Sequence, residues 1–368
     1  MKVYFVVKEP SERTINHFVS SLGNALQKLG CEVVYGLERL WTDNVFDCDI
    51  VHFQWPEYVF GSQKKHFSDE DIERLGNRIR QLKDRGLKIF VQIHNLKPHT
   101  NKDKNVLRLY ELLYQQADVM VHMGKYSSDL LQPQYPNARH VVIPHHIYDN
   151  VLSFSSSQQE ARLRLHLSQD KKIILSFGKF RNDQERNFVL NLKERIEILS
   201  SAAEANSSLF TLHSSLFLMP GFYRETLHTW NPKKFVTRLY HTIRYRLAGI
   251  QFSNEVIPED LMQCYFCAAD VVLIQRLDIL NSGNLPMAFA AGKVVVGPDV
   301  GNVGGILRET GNFVFAPTDM DSAAQAVKEA LQAADTDRGT QNKKYAEEHW
   351  SSSVIAKAMI ENYKKTIK

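Results

Sequence analysis

A small polar turn, Asn281-Ser282-Gly283-Asn284, runs straight into the apolar segment LPMAFAA, and a Gly-Lys break, a strand-like VVVG and a glycine-rich turn follow. The first N–H groups of a helix have no intrahelical partner, and the helix dipole makes that end attractive to phosphate. The four residues are therefore candidate anion ligands, through the Ser282 hydroxyl and the Gly283 and Asn284 amides. The plainer reading is that Ser282 or Asn281 caps the helix. A second candidate is SFGKFRNDQERN, residues 176–187, where a glycine at a strand end precedes Lys179, Arg181 and Arg186. Arginine offers phosphate a bidentate fork and lysine a point charge, although such a run can also be a solvated loop.

Groups able to move a proton sit in the first half of the chain. VQIHNLKPHT places His94 at a strand end with His99 close behind, and Glu57 ends HFQWPE. Histidine has a suitable unperturbed pKa, and Glu57 is the carboxylate competitor. His145 and His146 in IPHH would point to opposite faces of a strand, which disfavours one shared metal. Cys264 and Cys267 fall at i, i+3 in an apolar helix with no second ligand pair nearby, so they read as buried small hydrophobes rather than zinc ligands. Asp47 and Asp49 of the DCD triplet open a strand, and Asp49 is expected to flank it. No metal and no cofactor are expected.

These residues must be held by a frame, and the chain supplies one by alternation. KVYFVV precedes a helical spacing of Ile15, Phe18, Val19, Leu22, Leu26 and Leu29, which Gly30 ends before CEVVYG. The same rhythm gives strands at DIVHFQW, LKIFVQIHN, DVMVHMG and ARHVVIPHH, with helices over 68–85 and VLRLYELLYQQA. Residues 151–170, serine- and glutamine-rich, read as a linker. A second series follows: KIILSFG, a helix over 184–204, the strand SSLFTLHSS, the helix DLMQCYFCAA, DVVLIQ, and helices over 321–334 and 342–365. Alternating β and α units imply α/β architecture, with parallel sheets covered by helices on both faces. The division expected is 1–150, a linker over 151–170, 171–345, and a C-terminal helix over 346–368 packing back on the N-terminal domain. Ligands of such folds bind at the carboxyl ends of the strands.

With 368 residues, two domains are the natural prior. A formal charge of +4 allows an anionic substrate or surface but does not point to nucleic acid. The apolar run in MKVYFVVKEP is too short for a signal peptide or a membrane span, and four cysteines are too few for a disulfide scaffold. A cytoplasmic location is expected. NPKKFVTRLYHTIRYRLAG sets Phe235, Leu239, Ile243 and Leu247 four apart among Lys233, Lys234, Arg238, Arg244 and Arg246. The favoured reading packs this stripe on the sheet. The alternative is peripheral contact with an anionic inner membrane.

YFCAADVVLIQ and LPMAFAAGKVVVGPDVGNVGGIL resemble GT-B glycosyltransferases, with an ADV strand, a helix, an A-x-G-K-x-V-V break and a D-V-G-x-V turn. DIVHFQWPE, IHNLKPH and VVIPHH are similar to elements of a subset of them, and the likeness is greatest to the bacterial group 4-like set that builds capsules, exopolysaccharides and O-antigens. The resemblance implies two Rossmann-like domains facing across a cleft. It also implies a UDP- or GDP-sugar donor on the C-terminal domain, a glycan acceptor, in this set lipid-linked, on the N-terminal one, and no obligatory metal. Asn281–Asn284, Lys179, Arg181 and Arg186 would then face the donor diphosphate, and His94, His99 or Glu57 the acceptor hydroxyl. In this alignment Gln184 stands near the family's second lysine, so Arg186 substitutes from a shifted position. Retaining members carry two glutamates eight apart, where this chain has Ile279 and Met287. Gly304 and Gly305 replace a proline and a glutamate. A retaining and an inverting outcome both stay open. So do a nucleotide-sugar epimerase and a noncatalytic sugar-nucleotide or glycan-binding subunit. A dinucleotide oxidoreductase is disfavoured because no G-x-G-x-x-G follows the first strand.

Overall fold

A computed structural model describes residues 1–10, 16–61, 63–98, 103–201, 215–221, 232–253 and 256–367. These divide into one unit of residues 1–151 with 349–368 and a second of residues 152–348. Among the described residues each unit holds a six-stranded sheet, and every strand pairing is parallel.

In the first unit the strands are β1 (Lys2–Val6), β2 (Glu32–Val34), β3 (Ile50–Phe53), β4 (Lys88–Ile93), β5 (Val119–His122) and β6 (Arg139–Val142), ordered β2-β1-β3-β4-β5-β6. The inner strands are mostly apolar and buried on both faces, with His52, Gln92 and His122 as buried polar exceptions. The helix His17–Lys28 is capped by Asn16, whose side chain accepts from Phe18 N and Val19 N, and Gly30 leaves it at φ +86°. Asp49 flanks β3, as expected, and accepts a bond from Lys2 N at 2.7 Å that ties β3 to β1.

The chain's end differs from the single helix expected over 342–365. Two helices, Arg338–Trp350 and Ser352–Ile367, meet at Ser351. Ser351 caps the second, its Oγ 3.4 Å from Val354 N, and Ser352 N and Oγ both donate to Asp149. Ser351 accepts one helix-end donor and Asp149 takes those of Ser352, which starts a new helix where apolar spacing alone would continue the old one. The last helix belongs to the first unit, where Tyr363 OH lies 2.7 Å from His52 Nδ1 and Ser21 Oγ lies 2.9 Å from Ser352 Oγ.

The second unit orders its strands β12-β11-β10-β7-β8-β9: β7 (Ile173–Leu175), β8 (Leu216–Met219), β9 (Gln251–Phe252), β10 (Val271–Leu273), β11 (Val294–Pro298) and β12 (Phe313–Phe315). The strand expected at 207–215 lies almost wholly outside the described residues. The stretch 151–170 is not a bare linker: it contains the helix Gln158–Arg164, started by a Ser157–Glu160 capping box. Arg162 on that helix is buried and pairs with Asp270 at 2.6 Å, which fixes the segment to the sheet through a buried charge pair.

The stripe Phe235, Leu239, Ile243 and Leu247 does not pack on the sheet. On the helix Pro232–Leu247 those four are exposed, and His241 and Tyr245 face inward instead. No helix among the described residues is long and apolar enough to cross a membrane.

Candidate functional site

The carboxyl ends of β3, β4 and β6 gather an aromatic and imidazole cluster in the first unit. Gln54 and Trp55 follow β3, and a 3-10 turn, Pro56–Tyr58, then carries Glu57. His94 directly follows β4, and its ring stacks on Trp55 with centroids 4.0 Å apart. Phe18, near the start of the helix after β1, sits 4.8 Å from the His94 ring and 4.9 Å from each of His145 and His146.

The expectation that His145 and His146 point apart fails, because β6 ends at Val142 and neither lies on a strand. Both rings turn to Phe18. His146 lies 2.9 Å from Phe18 O through Nε2, and His145 lies 2.8 Å from His146 O through Nδ1.

The pKa values of the two candidate bases shift in opposite directions. Burial, and then the neighbouring His145, His52 and His146, hold the His94 imidazole well below its usual pKa. Burial pushes the Glu57 carboxyl up, opposed by the Tyr110 hydroxyl, which donates to it at 2.6 Å. A neutral imidazole and a carboxylate of raised pKa are the kind of pair that divides acid–base roles. His99 lies outside the described residues.

In the second unit the loop after β7 carries Ser176, Gly178 (φ +94°), Lys179 and Arg181. Lys179 and Arg181 are exposed. The Arg181 amide donates to Glu185 at 2.8 Å at the start of the helix Asp183–Ser201. Arg186 is turned differently. Its guanidinium donates to Asp183 at 2.8 Å and to Phe180 O at 3.1 Å, so it braces this loop.

The turn expected to bind anions lies beside that loop. Asn284 Nδ2 donates to Phe177 O at 3.0 Å, and Asn281 Oδ1 accepts from Asn302 at 2.8 Å. Ser282 is buried, and neither it nor Asn281 caps the helix Asn284–Ala290. Gly283 is the cap residue and makes no side-chain bond. Gly301 (φ +54°) lets the next helix, Gly301–Glu309, approach the same turn, since a Cβ there would lie 2.5 Å from Ile279 O. A Cβ on Gly304 would lie 2.4 Å from Asp299 Oδ1, so the turn has no room for a side chain there. Ile279 and Met287 are buried side chains.

The sequence reading missed Arg276. It follows β10, and its Nη2 reaches Lys179 O at 3.5 Å, which puts a third cation beside the loop after β7. Its Nε is buried without a partner among the described residues, as are Gln275 Nε2 and Ser176 Oγ. Burial, then the adjacent Arg181 charge, pushes the Arg276 guanidinium down to about 10, against a favourable pull from Glu185. Glu185 lies near both arginines and Asp278 near Arg181, and with Lys179 beside them the cluster still suits an added anion. The available signal was position, an arginine at the carboxyl end of a strand.

No family model matches the chain, and no curated protein matches it. Solved structures do. Sucrose-phosphate synthase from Thermosynechococcus elongatus superposes with a TM-score of 0.67 at 13% identity, over 99% of this chain and 98% of that one. The HepE protein of Anabaena in complex with UDP gives 0.66 at 11% identity, over 99% and 100%. A glycosyltransferase from Rickettsia africae gives 0.64 at 14% identity, over 100% and 98%. At these identities the likeness is one of fold, and the chain has the two-sheet GT-B fold of these transferases.

Proposed function

We propose that this chain is a metal-independent hexosyltransferase that moves a sugar from a nucleotide-sugar donor to a hydroxyl of a glycan acceptor. The observation carrying this reading is the cationic edge of the second unit, where Lys179, Arg181 and Arg276 gather beside the turn 281–284. The acceptor oxygen would attack the anomeric carbon while the bond from that carbon to the diphosphate oxygen breaks. The nucleoside diphosphate leaves with the electron pair, and fixed cations and amides stabilise its growing charge. In an inverting course Glu57 or His94 receives the acceptor proton; in a retaining course the leaving phosphate oxygen can take it.

A UDP-sugar is the first donor to try, since HepE is known in complex with UDP and with UDP-glucose. The acceptor we favour is lipid-linked, as in capsule, exopolysaccharide or O-antigen assembly, with the protein working in the cytoplasm at the inner membrane. A noncatalytic subunit that binds sugar nucleotides is the second reading. It draws on the apolar Ile279 and Met287, which supply no carboxylate to a donor sugar.

The test is a thermal-shift screen against UDP, GDP, CMP, ADP and their sugar conjugates, followed by turnover on an acceptor panel. A ligand that binds only the folded chain must raise its melting temperature, by about 2.7 kcal/mol of stability at a hundred times Kd. A shift with one nucleotide family and turnover support the transferase. A shift without turnover on any acceptor supports the binding subunit, and no shift with any nucleotide removes both readings.

A further inference from the structure

The helix Pro232–Leu247 presents its apolar residues to solvent. Phe235, Val236, Leu239, Tyr240, Ile243 and Leu247 are each between 47% and 83% exposed. At about 100° per residue these six span an arc of roughly 140° on the helix surface. The opposite side holds the helix to its unit: Tyr245 is fully buried, and its hydroxyl donates to Arg186 O at 2.6 Å. Arg244 pairs with Glu194 of the helix Asp183–Ser201, one turn before the exposed Ile198 of that helix. A contiguous apolar face of this kind marks an interaction surface.

Charge decides which partner fits. The sequence PKKFVTRLYHTIRYRL carries five basic residues and no acidic one, against a net charge of +4 for the whole chain. Arg246 falls within the apolar arc and is exposed, and Arg244 lies at its edge. Cations interleaved with large apolar side chains suit the boundary between anionic headgroups and acyl chains.

We propose that this face of the helix docks the protein on an anionic lipid bilayer, its apolar arc entering the headgroup–acyl boundary and its arginines meeting lipid phosphates. The docking rests on the helix alone. Only the idea that a lipid-linked acceptor is met at that surface depends on the transferase reading.

The test is co-sedimentation of the full chain with vesicles of phosphatidylcholine alone and of phosphatidylcholine with about one third phosphatidylglycerol. Binding is expected only to the anionic vesicles, weakening as salt is raised toward about 1 M. Arg246→Ala should lower partitioning about fivefold. The double variant Leu239→Asp, Ile243→Asp should lower it at least about tenfold, with an unchanged urea midpoint. Equal binding to neutral vesicles, no binding, or partitioning untouched by either variant would overturn the proposal. So would a salt-resistant dimer without lipid that the double variant dissociates, because the face would then belong to a second copy. A large fall in the urea midpoint would assign the face to the chain's own packing instead. UDP thermal shifts measured without vesicles separate the two inferences. A retained shift with no vesicle binding sinks the docking surface alone, and vesicle binding with no nucleotide shift sinks the transferase alone.

Discussion

The ring of His94 lies flat against the indole of Trp55, with ring centroids 4.0 Å and planes 13° apart, and its Nε2 donates to Gln54 Oε1 at 3.0 Å. Two residues at the end of β3 thereby fix the imidazole at the end of β4 in orientation and tautomer. Burial first, and neighbouring imidazoles second, keep that ring neutral, which makes it a weak base. Burial makes Glu57 a stronger one. Glu57→Gln should therefore lower kcat about a hundredfold, the scale of a lost general base, while His94→Gln should act mainly on KM. Steady-state kinetics of both variants check this, and the opposite split would transfer the base role to His94.

Several other imidazoles of the first unit are also held neutral. Burial pushes His52 and His122 down to about 3 and His145 to about 4, and His146 well below its usual value. In the unfolded chain each would titrate near 6.5, so below that pH the unfolded state binds more protons than the folded one. The stability these groups contribute is complete above about pH 6.5 and is lost as pH falls toward the folded values, by up to about 1.4 kcal/mol per pH unit for each. The urea midpoint at pH 5 should thus lie clearly below that at pH 7.5. A flat profile between those two would show that these rings are solvated.

Tyr363 on the last helix and His52 on β3 form a buried pair through Nδ1 at 2.7 Å, and His52 Nε2 has no partner among the described residues. Tyr363→Phe leaves the imidazole without that partner, at a cost of about 1–3 kcal/mol. Adding His52→Phe removes the stranded polar group and should recover part of the loss. Urea unfolding of the two single variants and the double variant measures the coupling, and strict additivity would mean that the bond contributes nothing.

Much of this architecture was legible because a buried parallel strand must be a short apolar run and a covering helix must be amphipathic. KVYFV, KIFVQI and VVVGP announce themselves in that way. What stayed hidden depended on which elements become neighbours. The spacing of Phe235, Leu239, Ile243 and Leu247 shows that their helix has two faces, but not which face turns inward. Tyr245 won the interior because its hydroxyl found the Arg186 carbonyl. Arg276 was overlooked for a similar reason. Its burial appears only once β10 is paired with β7, which brings it to Lys179 across 97 residues of sequence.

Arg276 gives the sharpest test of the donor site. Its guanidinium is desolvated beside Arg181, and in the described residues its Nε bonds to nothing. Such a charge costs stability until an anion arrives. Arg276→Gln should consequently leave the ligand-free melting temperature unchanged or higher. The same change should weaken UDP about tenfold to a hundredfold, the worth of charge-assisted hydrogen bonds. Uridine, which has no phosphate, should bind the variant as it binds the wild type, and Arg181→Ala should show the same contrast. Calorimetric titration of both ligands into the three proteins makes the comparison. If uridine weakens as much as UDP, the arginines shape the nucleoside pocket. If neither ligand weakens, the diphosphate lies elsewhere, and the cationic edge after β7 and β10 no longer supports the donor assignment.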